Sequence, residues 1–177
     1  WQSGRMPRPR LRDLGRSAAV RLTHAREATS VPSVKAGLDA VVLAAAGLRR
    51  LGLKDSITEL LPLDDFPPSP GQGAMGIQLR AVDTELWEML NFYGDPTVDA
   101  GVQAERALLA ELHGGCSVPV GAYAVPSGAG LKLTAQVTSL EGTQRVVSSA
   151  TGTDAQLLGE TVARTMLERG AEAILRQ

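Results

Sequence analysis

Three prolines fall within four residues at Pro67-Pro68-Ser69-Pro70, and this run limits the possible folds more than any other feature of the chain. Each proline fixes φ and lacks an N–H, so neither a helix nor an inner sheet strand can pass through it. Preceded by Asp64-Asp65-Phe66, the segment reads as extended and semi-rigid, the character of a crossover between domains. A length of 177 residues with 44% hydrophobic side chains suffices for one domain or two small ones around such a crossover.

Ahead of it, residues 38 to 46 form a short apolar run with the β-branched pair Val41-Val42, which predicts a buried strand broken at Gly47. Leu48 to Leu53 predicts a short helical turn, followed by Ile57, Leu60 and Leu61 on one face up to Pro62. Residues 1 to 30 hold seven arginines against Asp13 and Glu27, a balance of about +5 that leaves about −6 for the rest of a chain whose total is −1. With Pro7 and Pro9 and no apolar period, this stretch reads as a poorly packed basic arm, or as an arginine cluster for an acidic ligand. The start at Trp1 reads as a truncated or atypical beginning.

Beyond the crossover, Gly71 to Arg80 alternates weakly and predicts a strand entered through a glycine turn. A helix capped by Asp83 or Thr84 then turns Leu86, Met89, Leu90 and Tyr93 inward and stops at Gly94. A second, capped by Asp95 with Pro96 in its first turn, buries Val98, Val102, Leu108, Leu109 and Leu112 and closes at Gly114-Gly115. The period then changes to strands over Val118–Val125, Leu131–Val137 and Arg145–Ser148, with turn glycines between them. Asp154 caps a last helix with Leu158, Val162, Met166 and Leu167 inward, bent or ended at Gly170. The expected class is α+β: the end of an α/β cleft domain with a buried strand and crossover, then a three-stranded antiparallel sheet covered on one face by helices. The expected divisions are a basic arm over 1–30, a partial cleft domain over 31–94 with the crossover near 62–76, and an α+β domain over 95–177.

A net charge of −1 supplies no general field for nucleic acid or an anionic membrane. The longest apolar run, Val41 to Ala46, is far short of the roughly 20 residues that span a bilayer. A single cysteine excludes an internal disulfide and a cysteine-rich zinc site, and suits a reducing, cytoplasmic compartment.

That cysteine, Cys116, follows Gly114-Gly115 just past a helix C-terminus, where the dipole disfavours a thiolate. A buried structural cysteine and an open thiol that accepts a bulky group both fit. His24 and His113 lie in no nucleophile motif, and His113 with Cys116 gives two ligands where a metal site needs more. Gly71-Gln72-Gly73 is too short for a dinucleotide loop and reads as a turn. Arg49-Arg50 reads as a solvated helix face or as a bidentate carboxylate holder.

Several segments, in order, resemble the hydroxymethylbilane synthase (porphobilinogen deaminase) family: Asp39 to Leu48, Arg50-Leu51-Gly52-Leu53, Pro70-Gly71-Gln72-Gly73-Ala74 with Gly76, Ala104-Glu105-Arg106-Ala107, and Gly114-Gly115-Cys116-Ser117-Val118-Pro119-Val120. The resemblance covers residues 38 to 177 and implies a transferase that joins four porphobilinogen molecules head to tail with loss of ammonia, for porphyrin and haem synthesis. It implies a dipyrromethane cofactor tethered by a thioether to Cys116 in the Gly114-Gly115-Cys116 loop. Attack by sulfur on an electrophilic methylene pyrrole requires no depressed pKa, so an open thiol would suffice. The pyrroles carry acetate and propionate groups; Arg50 matches one of the family's cleft arginines, and Gln72 matches a hinge residue bordering the cleft. A monomer is expected, in the cytoplasm or a plastid.

The family is longer, with three domains, and its acid/base aspartate belongs to a first domain that has no counterpart here, so no catalytic residue is assigned. The segment that clasps the cofactor carboxylates is also missing, and residues 1 to 30 match nothing evident. The chain is therefore expected to be a fragment or degraded copy, inactive alone, with a non-catalytic α+β binding module as the alternative function. The strand after Gln72 would leave an apolar edge exposed and stability marginal.

Overall fold

The structure, a computed structural model, describes residues 20–21, 42–112 and 119–176. It divides into two compact units, Trp1–Leu61 and Pro62–Gln177, so the division falls where the proline-rich crossover begins.

In the first unit, helix α1 spans Ala45–Arg50 and a single 3-10 turn spans Lys54–Ser56. Strands β1, Val20–Arg21, and β2, Glu59–Leu60, pair antiparallel with Val20 opposite Leu60. A stretch of the basic arm thus takes part in a backbone ladder. The helix starts where the predicted strand was to continue: Ala45 and Ala46 are helical, because alanine is the best helix former and the β-branched pair lies upstream. Residues 38–41 lie outside the described residues. The helix ends as a Schellman motif, with Leu53 N–H donating to Leu48 O at 2.8 Å and Gly52 N–H to Arg49 O at 3.2 Å. Ala45 and Leu48 are buried, with Leu43, Leu53 and Ile57 packed on them. The helical face expected over Ile57, Leu60 and Leu61 does not form, since Leu60 is committed to β2.

The second unit begins with the crossover, followed by α2 (Thr84–Asn91), α3 (Pro96–Glu111), β3 (Val120–Ser127), β4 (Gly130–Thr138), β5 (Arg145–Gly152), α4 (Ala155–Glu168) and α5 (Ala171–Leu175). The three strands form one antiparallel sheet in the order β3-β4-β5. Register places Val120 opposite Val137, Ala122 opposite Ala135 and Ala124 opposite Leu133, so these apolar side chains share one face. Leu108, Leu112, Leu158, Val162 and Met166 of α3 and α4 cover that face and complete the core. At roughly 25 cal/mol per Å² of apolar surface, this burial is the main stabilising term of the unit.

The helix starts follow their caps. Asp95 accepts from Thr97 N at 2.9 Å and Val98 N at 3.4 Å, and Asp154 accepts from Leu157 N at 2.8 Å. The inner face of α3 differs from the expectation: beside Leu108 it consists of Gly101, Ala104, Glu105 and Ala107, while Val98, Val102 and Leu109 are only half-buried. Small residues prevail because α4 crosses closely. A Cβ on Gly159 would stand 2.4 Å from Ala104 O and 2.6 Å from the Ala107 methyl.

The segment from Gly71 to Arg80 forms turns and irregular chain instead of the predicted strand, and a strand requires a neighbour to complete its hydrogen bonds. Helix α2 has no buried residue: Leu86, Met89 and Tyr93, expected inward, are exposed, as are Met75, Ile77 and Trp87.

Candidate functional site

The crossover does not hang free. Its Pro68 carbonyl accepts from Ala122 N at 2.8 Å, placing it along the edge of β3 that β4 leaves open. Prolines suit this position, because an edge segment offering only carbonyls needs no N–H donors of its own. The approach is close: a Cβ on Gly121 would lie 2.5 Å from Pro67 O. At the start of the crossover Tyr123 Oη donates to the Asp64 carboxylate. Burial first, and then this hydrogen bond, hold the Tyr123 phenol above its ordinary value of 10.0.

At its far end two tight turns follow each other. Gln72 N–H donates to Ser69 O at 3.0 Å and Ala74 N–H to Gly71 O at 3.2 Å, with Gly71 at φ 72° and Gly73 at φ 86°. Proline second and a positive-φ glycine third is the type II arrangement, which accounts for Pro70-Gly71; Gly73 holds the third position of the next turn. Gln72, second in that turn, is exposed.

Beneath the turns sits Glu105, only 3% exposed, on the inner face of α3. Gly71 N–H donates to its Oε2 at 2.7 Å and Ala124 N–H to its Oε1 at 2.7 Å. Buried carboxylates are costly without such donors, and hydrogen bonds to a charged group contribute roughly 1.5–3 kcal/mol each. The sequence holds a signal for this: a glutamate at an inward helical spacing, between Gly101, Ala104 and Leu108.

Arg50 is exposed in the last turn of α1, where a cation complements the helix dipole, and it forms no ion pair among the described residues. Gln72 lies in the second unit and Arg50 in the first. Cys116, Gly114, Gly115 and His113 fall in residues 113–118, outside the described residues. On either side of these residues, Leu112 is buried at the close of α3 and Pro119 O accepts from Thr138 N at 3.1 Å. No group of three or more potential metal ligands occurs among the described residues. Nor, among them, is any helix long and apolar enough to cross a membrane.

Two family models match in chain order. The porphobilinogen deaminase dipyromethane cofactor binding domain matches residues 10–88, so the match begins inside the basic arm, and the porphobilinogen deaminase C-terminal domain matches residues 100–168. Among curated relatives, the chain is 45% identical over 141 residues to the porphobilinogen deaminase of Geobacter sp. (strain M21), covering 78% of this chain and 44% of the relative. Identity is also 45% over 140 residues to that of Geobacter sulfurreducens, with the same shares. The corresponding protein of Roseiflexus castenholzii is 45% identical over 138 residues, 77% of this chain and 46% of the relative. The chain therefore spans less than half the length of these relatives.

Proposed function

Because the chain belongs to the porphobilinogen deaminase family, we propose that it is the crossover and cofactor-bearing C-terminal part of a hydroxymethylbilane synthase. The observation that carries this reading is the pair of family models, matched in chain order over residues 10–88 and 100–168. The reaction joins four porphobilinogen molecules; at each step the aminomethyl carbon of one pyrrole bonds to the free α-carbon of the next, and ammonia and the α-proton leave.

The dipyrromethane cofactor, when bound, supplies the pyrrole end from which the chain grows. Cys116 Sγ would hold it as a thioether, with Gly114 and Gly115 keeping the approach clear of side chains. The group and its substrate carry several carboxylates, so they require donors of the type that Arg50 offers: a guanidinium in solvent with no acid paired to it among the described residues. Gln72, held outward by its turn, would contribute a neutral amide to the substrate. As part of the whole enzyme the chain would act on porphobilinogen as a cytoplasmic monomer. Residues 1–177 alone do not turn over, because the aspartate expected to move the proton belongs to the first domain of the family and a general acid/base must lie within hydrogen-bond reach.

A chimaera tests this reading: residues 10–177 replace the matching segment of the Geobacter sp. (strain M21) enzyme, and hydroxymethylbilane formation is followed. Turnover that disappears in Cys116→Ser is expected, as is a raised KM in Arg50→Lys. A folded chimaera whose turnover survives Cys116→Ser contradicts the reading.

A further inference from the structure

We propose that Glu105 is the positioning residue of the crossover: its carboxylate accepts from an edge N–H of β3 and from the departing chain, and so fixes the turn that carries Gln72. The proposal deepens the reading of Gln72 and rests on it for its consequence in catalysis, whereas the geometry stands apart from it.

Ala122 and Ala124 are two residues apart, so both N–H groups point away from β4 toward the open edge of the sheet. The crossover satisfies the first, through Pro68 O at 2.8 Å. It cannot continue alongside to satisfy the second, because the turn at Pro70-Gly71 carries it away from the strand. Glu105 Oε1 meets Ala124 N–H at 2.7 Å, and the second oxygen of the same carboxylate takes Gly71 N–H at 2.7 Å, the first main-chain donor after Pro70. One side chain therefore serves an edge donor of β3 and ties down the departing chain.

The length of the side chain and its pair of acceptor oxygens suit both contacts. Its base is immobile, since Ala104 and Leu108 beside it are fully buried against the sheet and α4. Aspartate would be one methylene too short to serve both donors. Glutamine would turn an NH2 toward one of them, replacing a hydrogen bond by two opposed donors. The crossover from Asp64 to Gly71 accordingly belongs to the α3–β3 body, and the position of Gln72 is set through its neighbour Gly71.

Amide hydrogen exchange and 1H–15N spectra of this chain test the proposal without porphobilinogen, so its failure is distinct from a failure of the functional reading. In the native chain, Gly71 and Ala124 amides are expected to be protected although one lies in a surface turn. In Glu105→Gln, one of the two should exchange roughly 10- to 100-fold faster, the loss expected for a hydrogen bond to a charged group. Both resonances should move upfield, while Leu133 and Ala135 of the central strand keep their rates. Unchanged rates and resonances at Gly71 and Ala124 would overturn the proposal, and so would equal acceleration at Leu133 and Ala135. Should the variant fail to fold, the native chain decides: a Gly71 amide exchanging at the rate of free peptide overturns it.

Discussion

The phenol of Tyr123, only 6% exposed, donates to the carboxylate of Asp64 and joins the first residues of the crossover to the middle of β3. Fifty-nine residues separate the partners in sequence. Together with the Glu105 clasp at the other end, this contact makes the proline segment part of the sheet's edge.

The Tyr123 contact has a pH signature. A phenol whose folded pKa is raised above 10.0 stabilises the fold fully below that value, and the contribution is lost as pH rises through the raised pKa. Tyr123→Phe should cost about 1 kcal/mol near neutral pH, a modest figure because Asp64 is exposed. Thermal melts between about pH 8 and pH 11 should show the native and variant curves converging at the alkaline end. A constant gap would count against the assignment.

Two glycines separate crossover from core. Gly159→Ala places a methyl 2.4 Å from Ala104 O and must part α3 from α4, so a loss of about 3 kcal/mol and a lower denaturant midpoint are expected. Gly121→Ala places one 2.5 Å from Pro67 O and should cost nearer 1 kcal/mol, releasing the crossover to proteolysis while the sheet stays folded. Equal losses would mean the crossover is integral to the core.

The acidic residues at the helix starts should not behave alike. Asp95→Ala and Asp154→Ala each remove a side-chain cap and should cost about 1 kcal/mol in chemical denaturation. Asp83→Ala should be nearly neutral, since that carboxylate makes no cap bond and engages Arg80 in an exposed pair. A comparable loss at Asp83 would show that α2 is stabilised in a way its geometry lacks.

The strands, turns and caps of the second unit were legible in sequence because local preference and burial agree there: Asp95-Pro96 and Asp154 sit where helices start, and Leu131, Leu133 and Val137 alternate onto one face. Gly71 to Arg80 misled because alternation marks strands only where a partner exists, and its first glycines are spent on turns. The close crossing of α3 and α4 depends on Gly101, Ala104 and Gly159, residues too small to register in an apolar period. Glu105 shares the inward spacing of Gly101, Ala104 and Leu108, and the strand opposite supplies its use. Of the expected site residues, Arg50 and Gln72 are exposed, and Cys116 with its two glycines lies outside the described residues.

The central proposal is that Cys116 anchors the cofactor. Incubating the chain with porphobilinogen, and separately with preformed hydroxymethylbilane, followed by intact-mass measurement and peptide mapping, tests this most directly. The expected result is a pyrrole adduct on Cys116 from hydroxymethylbilane alone, absent in Cys116→Ser. Two or more pyrrole units acquired from porphobilinogen, or an adduct that persists in Cys116→Ser, would contradict it.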